Sequence, residues 1–260
     1  MMARRRFYAS PNNITASLAT LSTHETHHLI HVLRMTPGDE ALVFDGCGRE
    51  FRCSFRGVEE NQAQLELEDS LSDVVESPLH ITLAQALAKG EKFDFIVQKA
   101  TELGVSAIAP LITRNSDVRL DDHQKANRVE RWRRISLEAI KQCGRRRLVE
   151  VARPCSLREF IAGCEPATPG NDPQTRVTLV FSEAGGIPLA EALQPMPTQS
   201  VVCALIGPEG GWSVDELEAL KDSGFRAVTL GPRVLRTETA ALVAVTLIQH
   251  AMGDLSRSQS

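Results

Sequence analysis

No two of the six cysteines stand in C-x-x-C spacing, and they are scattered from Cys47 to Cys203. That distribution speaks against a zinc ribbon or a disulfide framework and fits reduced thiols in the cytoplasm. No apolar run approaches the ~20 residues of a transmembrane helix, so a membrane class is not expected. The basic start "MMARRRFYAS" is not followed by an apolar stretch, which leaves no secretory signal to read. Positive charge is not in excess either: 29 Lys and Arg face 33 Asp and Glu, for a net charge of -4. No internal repeat is visible. Hydrophobic residues at 42% and charged residues at 24% lie near the globular average, which excludes a disordered chain. With roughly 100–200 residues per domain, 260 residues hold one large or two modest domains.

The acidic average hides a basic segment. Between Lys125 and Arg147 stand nine Lys or Arg against two acids, Glu130 and Glu138. Such a run either neutralises phosphates or forms a solvated helix face.

The first ~70 residues read as a short helix, "HETHHLIHVLR", then alternating apolar positions on either side of "DGCG", then "QAQLELE". Asp-Gly supplies the φ > 0 positions of a tight turn, so a β-hairpin extended into a small sheet or barrel is expected. The polar stretch "DSLSDVVESP" is the best domain boundary, giving units over 1–74 and 75–254. Beyond it, apolar runs alternate with helical segments: "HITLAQAL", "VSAIAPL", "LVEV", "RVTLVF", "VVCALI" and "RAVTL". This texture predicts an α/β domain with a parallel sheet and helices on both faces. One helix is expected over about 93–103, ending at Gly104, and a second over about 124–142 carrying the basic run. "GCEPATPGNDPQT" reads as a surface loop within this domain.

Two late segments carry the chemistry. In "VVCALIGPEGGWSVDELEAL" a buried strand runs into a Gly-Pro loop, and Ser213 with Glu216 forms the capping box of a helix. In "RAVTLGPRVLRTETAALVAVTLIQHAM" a strand again meets a Gly-Pro loop and then a helix apolar on nearly every face, which must be buried in the domain or against another subunit. Both loops fall at strand carboxyl ends, where open α/β sheets bind ligands. Phosphate does not suit "GPEGG". The loop lacks the Lys-Ser/Thr of a P-loop, does not fit G-x-G-x-x-G, uses Pro208 where an N–H donor is wanted, and adds the anion of Glu209. A neutral or cationic ligand fits better, and the sulfonium of S-adenosylmethionine is one. The usual dinucleotide-type loop follows the first strand, whereas "ATELGVSAI" runs helix, Gly104, strand, which disfavours the common Rossmann methyltransferase.

These two blocks, with "KGEKFDFIVQKATELGVSAIAPLITRNSDVR", "ERWRRISLEAIKQCGRRRLVEV" and "HHLIHVLRMTPGDEALVFDGCGRE" upstream, resemble the ribosomal RNA small subunit methyltransferase E family of the SPOUT superfamily. The resemblance covers about three quarters of the chain in the family's order. It implies a SPOUT-type parallel sheet with a C-terminal trefoil knot, preceded by a small PUA-like β-barrel. It also implies a cytoplasmic homodimer that uses S-adenosylmethionine to methylate N3 of a uridine in the 16S ribosomal RNA of the small subunit. In that frame the cofactor is expected against Phe181, against Leu205, Ile206, Gly207, Pro208, Glu209 and Gly210, and against Leu230, Gly231, Val234, Leu235 and Thr239. Glu209 is expected near its positive end. Arg236 either stabilises charge on the uracil or pairs with Glu209 or Glu238. Glu238 either accepts the N3 proton or complements a helix dipole. Arg6, Arg114 and Arg145 are the expected RNA contacts, with Phe7 and Tyr8 as a stacking surface.

"HETHH" matches H-E-x-x-H, so a zinc peptidase with ligands His24 and His28 and base Glu25 is a competing reading, although no third ligand is evident. The favoured reading expects no metal. Methylation of another base or of a ribose 2'-OH is a further alternative. It is weakened because no N-x-G-x-x-x-R block stands near "TRNSDVR". A binding module without catalysis is the third.

Overall fold

The structure, a computed structural model, describes residues 5–71, 76–164, 176–193 and 200–256. The chain forms two compact units, Met1–Glu76 with Ile140–Leu148, and Ser77–Ala139 with Val149–Ser260. The expected 74/75 junction lies outside the described residues, as does the 163–175 loop from residue 165 onward. Among the described residues no helix is long and apolar enough to cross a membrane.

In the first unit, strands β1 (Arg6–Tyr8), β2 (Leu18–Thr20), β3 (Glu40–Phe44), β4 (Glu50–Glu59) and β5 (Gln62–Leu71) form one sheet in the order β1-β3-β4-β5-β2. The alternation read from the sequence turns Ala41 and Val43 of β3, and Ala63 and Leu65 of β5, into an apolar core shared with Phe7, Leu21, Leu29 and Phe55. The β3–β4 hairpin forms as expected, but "DGCG" does not make a tight turn. Residues 45–49 form a wider loop in which the Asp45 carboxylate accepts from the N–H groups of Cys47 and Arg49 at 2.7 and 3.0 Å. The tight turn is instead Glu60–Asn61, both at positive φ, joining β4 to β5. The expected helix begins as α1 (Thr23–His27), capped by Ser22, and widens into a π turn over His28–Val32.

A buried ionic cluster holds residues 140–148 in this unit. Arg6 donates to Glu50 at 2.5 Å and to the carbonyl oxygens of Ile140, Gly144 and Arg145, with its guanidinium over the Phe44 ring. Arg146 holds the other Glu50 oxygen at 3.0 Å, Arg145 holds Glu76 at 2.9 Å, and Lys141 holds Glu25 at 2.9 Å. Each of these cations brings its charge out of water only because a carboxylate meets it.

In the second unit every strand pairing is parallel, as the alternating texture requires. The strands are β6 (His80–Ala86), β7 (Ala107–Ile112), β8 (Glu150–Val151), β9 (Cys155–Ser156), β10 (Arg176–Phe181), β11 (Ile187–Pro188), β12 (Val201–Ile206) and β13 (Arg226–Thr229). Their order is β11-β13-β10-β12-β6-β7-β8, with β9 also on β7. The helices are α2 (Lys92–Glu102), α3 (Asp122–Cys143), α4 (Leu157–Gly163), α5 (Leu189–Ala192), α6 (Val214–Asp222) and α7 (Thr237–Met252). Strand β12 sits mid-sheet, which explains its unbroken apolar run. Helix α2 buries Phe93, Ile96, Val97 and Ala100, whereas Leu103, expected on the same stripe, caps the helix half-buried. Helix α7 buries Ala241, Ala244, Val245, Ile248 and Met252 within the unit, while Leu247 is 41% exposed on the opposite side. Among the described residues all six cysteines are free, and burial pushes the Cys53 thiol up to about 12, so it stays protonated.

Replacing Glu50 removes the carboxylate that the buried guanidinium groups of Arg6 and Arg146 share. Glu50→Ala is therefore expected to lower unfolding free energy by about 3–5 kcal/mol in urea titration. A loss below about 1 kcal/mol means that the cluster contributes little to stability.

Candidate functional site

Strands β13, β10 and β12 are neighbours and end level with one another, since Phe181 pairs with both Ile206 and Val228. Their three following loops and the start of α7 enclose a cleft of about 620 Å³, within the usual range of small-molecule sites. It lies at the carboxyl edge of a parallel sheet, where the sequence places the two Gly-Pro loops.

Side chains from distant parts of the chain fix the loop backbone. The Trp212 indole lies across Gly207 and donates to the Phe181 carbonyl at 2.9 Å. A Cβ on Gly207 would fall 3.0 Å from the indole nitrogen, so any larger residue would push the ring back by a few tenths of an ångström. Asn115 donates to the carbonyl oxygens of Gly210 and Gly211 at 3.2 and 3.0 Å. The Thr237 hydroxyl donates to the Gly207 carbonyl at 2.7 Å and accepts from the buried Gln85 amide at 2.9 Å. Helix α6 starts at the expected capping box of Ser213 and Glu216, and the second Glu216 oxygen accepts from the Arg114 N–H at 2.8 Å.

The cleft carries both signs of charge, from Lys92, Arg233 and Arg236 and from Glu183 and Glu209. Glu209 is held by Lys92 from the first turn of α2. Among the described residues no carboxylate closes on Arg236, which therefore makes neither of the ion pairs weighed for it.

Most expected cofactor positions gather here. Phe181, Ile206, Gly207, Pro208, Glu209, Leu230, Gly231, Val234 and Leu235 line the cleft together with Arg236. Leu205 does not line it, because strand alternation turns it into the core, where it is fully buried. Gly210 faces Asn115 rather than the cleft. Thr239 and Glu238 lie outside the lining. Glu238 stands in the first turn of α7 and keeps one buried oxygen without a protein partner. Sequence reasoning missed Lys92, Glu183, Trp212, Thr229, Arg233 and Thr237, all of which line the cleft. Trp212 and Thr237 stand within the two quoted Gly-Pro segments, whereas Lys92, in the upstream block that starts at Lys89, has nothing local to tie it to the cleft.

The expected RNA contacts fare differently. Arg6 and Arg145 are 4% and 6% exposed and bound to Glu50 and Glu76, so the fold uses both as internal ion pairs. Phe7 belongs to the core of the first unit and offers no stacking face. Arg114 is exposed and meets Asp215 at 2.7 Å. The H-E-x-x-H residues do not converge either. Glu25 is buried on Lys141, His24 points outward, and the His28 ring packs on Phe7. Among the described residues no group of three His, Cys, Asp or Glu is placed to hold a metal.

Residues 75–249 match the model of an RNA methyltransferase domain, and residues 21–68 that of an RNA methyltransferase PUA domain. The chain is 34% identical to the ribosomal RNA small subunit methyltransferase E of Synechocystis sp., over 94% of this chain and 76% of that one. It is 31% identical to the Bacillus subtilis protein of the same name, over 89% of each. Among solved structures, that of the Neisseria gonorrhoeae ribosomal RNA small subunit methyltransferase E bound to S-adenosyl methionine superposes with a TM-score of 0.85, at 33% identity over 97% of this chain and 99% of that one. With an α/β SPOUT-type second unit and a PUA-like first unit, the chain belongs to the ribosomal RNA small subunit methyltransferase E family.

Proposed function

We propose that this protein transfers the methyl group of S-adenosylmethionine to N3 of a specific uridine in the 16S ribosomal RNA of the small subunit. The observation that carries the reading is the cleft. It is built by the two Gly-Pro loops at one sheet edge, in a chain whose relatives are named for this RNA and one of which is crystallised with this cofactor.

The cleft fits the cofactor by volume and by its donors and acceptors, with loop backbone from Ile206 to Glu209 and from Leu230 to Leu235 to hold it. When bound, the cofactor supplies a methyl group made electrophilic by a sulfonium. The chain's own residues do the rest. Uracil N3 lies between two carbonyls and becomes a nucleophile on losing its proton, so the site must stabilise charge spread over O2 and O4. Arg236, at the cleft and free of any carboxylate among the described residues, serves that role. Glu238, outside the lining, complements the N-terminus of α7. The target base must be single-stranded or extruded to enter.

The reading also takes the protein to be a cytoplasmic homodimer whose C-terminal segment is threaded as a trefoil knot. Its domains would divide near 74/75, with residues 140–148 returning to the first unit. The outward Leu247 of α7 and the exposed Val234 of the second loop support a subunit contact. The free cysteines support a reducing compartment.

Nucleoside mass spectrometry of 16S ribosomal RNA incubated with protein and cofactor is expected to show N3-methyluridine. Methyl on any other atom overturns the uridine assignment. Arg236→Gln is expected to lower kcat about 10²–10³-fold while cofactor affinity stays within about threefold. Equal losses in both would make Arg236 a cofactor ligand. Thr237→Val breaks the bond to Gly207 and should weaken cofactor binding about tenfold by calorimetry, with Thr237→Ser restoring it. Unchanged affinity in the valine variant would remove Thr237 from the loop's support.

A further inference from the structure

The basic segment divides between the two units. Lys141, Arg145 and Arg146 meet buried carboxylates of the first unit, whereas Arg128 and Arg131 lie on the early turns of α3 in the second. There Asp117, Arg119, Gln124, Asn127, Arg128 and Arg131 line a groove of about 470 Å³.

The groove is rich in N–H donors. Arg131 is engaged by Asp94 at 2.5 Å, and the acid of the groove, Asp117, is neutralised by Lys89 at 2.6 Å. Among the described residues no carboxylate closes on Arg119 or Arg128. Arg119, which senses Asp117 without closing an ion pair on it, and Arg128 are flanked by the exposed amides of Gln124 and Asn127, a set that suits a ligand with negative charge and several oxygen acceptors. Guanidinium forks match phosphate oxygens in this way.

The same loop joins groove to cleft. Asp117 lies two residues after Asn115, which holds Gly210 and Gly211 of the first Gly-Pro loop. Its partner Lys89 stands three residues before Lys92, which holds Glu209 at the cleft. These two ion pairs tie the loop that borders the groove to the loop that borders the cleft, so a strand whose base entered the cleft would have Arg119 and Arg128 on this side of it.

We propose that the groove between the 117–120 loop and α3 binds the sugar-phosphate backbone of the RNA substrate beside the nucleotide being methylated. The inference rests on the RNA methyltransferase reading above.

The test is binding of a 16S ribosomal RNA transcript over a range of salt concentrations, for the wild type, for Arg119→Gln with Arg128→Gln, and for the exposed Arg119→Gln alone. Lys221→Gln on α6 serves as the charge-matched control for the single variant, and S-adenosylmethionine titration checks that the fold is kept. Each guanidinium removed is expected to flatten the slope of log affinity against log salt by about one. The double variant should bind RNA about 10- to 100-fold more weakly at 0.1 M salt, with cofactor affinity unchanged. A double variant with wild-type RNA affinity and slope overturns the groove and leaves the methyltransferase reading standing. A wild type that binds cofactor but no RNA overturns both. If the double variant keeps RNA affinity but loses binding of a poly-glutamate peptide, the groove docks protein and the proposal fails.

Discussion

One hydroxyl proton decides how the cleft is held. The Thr237 hydroxyl has a single hydrogen and gives it to the Gly207 carbonyl, so the Gln85 amide can approach only as a donor. That exchange joins the end of β6, the loop after β12 and the start of α7, segments up to 152 residues apart. The loops have no ladder of their own, and their buried backbone groups must find partners elsewhere. Trp212 on the Phe181 carbonyl and Asn115 on the Gly210 and Gly211 carbonyls repeat the pattern. A preorganised site follows from side chains that hydrogen-bond backbone, not from the glycines alone.

Charge is handled in opposite ways in the two units. In the first, Arg6, Arg145 and Arg146 are drawn inward and matched with Glu50 and Glu76 until almost none of their surface meets water. In the second, Arg236 at the cleft and Arg119 and Arg128 at the groove close no ion pair among the described residues. Buried pairs contribute little net stability but are costly to break. Unmatched surface cations contribute nothing to the fold and are available to a ligand. The same residue type therefore does structural work in one place and recognition in another.

Much of this was legible in the sequence, and the reasons are particular. Strand β12 read clearly because a central parallel strand is apolar on both faces, and α6 because Ser213 and Glu216 sit at capping distance. The "DGCG" turn misled because the Asp45 carboxylate prefers to gather local N–H groups, which widens the loop, while Glu60 and Asn61 gave no glycine to flag the real turn. Arg6 and Arg145 looked like RNA contacts because a motif shows residue type and not burial. Their partners Glu50 and Glu76 are 44 and 69 positions away. Lys92 at the cleft and the buried Gln85 were invisible for the same reason, since nothing local ties them to segments more than a hundred residues downstream.

The placement of residues 140–148 bears on how this protein can be cut or rebuilt. Because that segment belongs with the first 76 residues, the chain passes between the units at 76/77, 139/140 and 148/149. The amino-terminal sheet is thus not a detachable module in the linear sense. A fragment ending near Glu76 keeps the Arg6–Glu50 pair but leaves Glu25 without Lys141, Glu50 without Arg146, and Arg6 without the carbonyl acceptors of residues 140–145. Exchange of this unit between relatives must carry two stretches of sequence, and the shorter one lies in the middle of the catalytic domain's own gene segment.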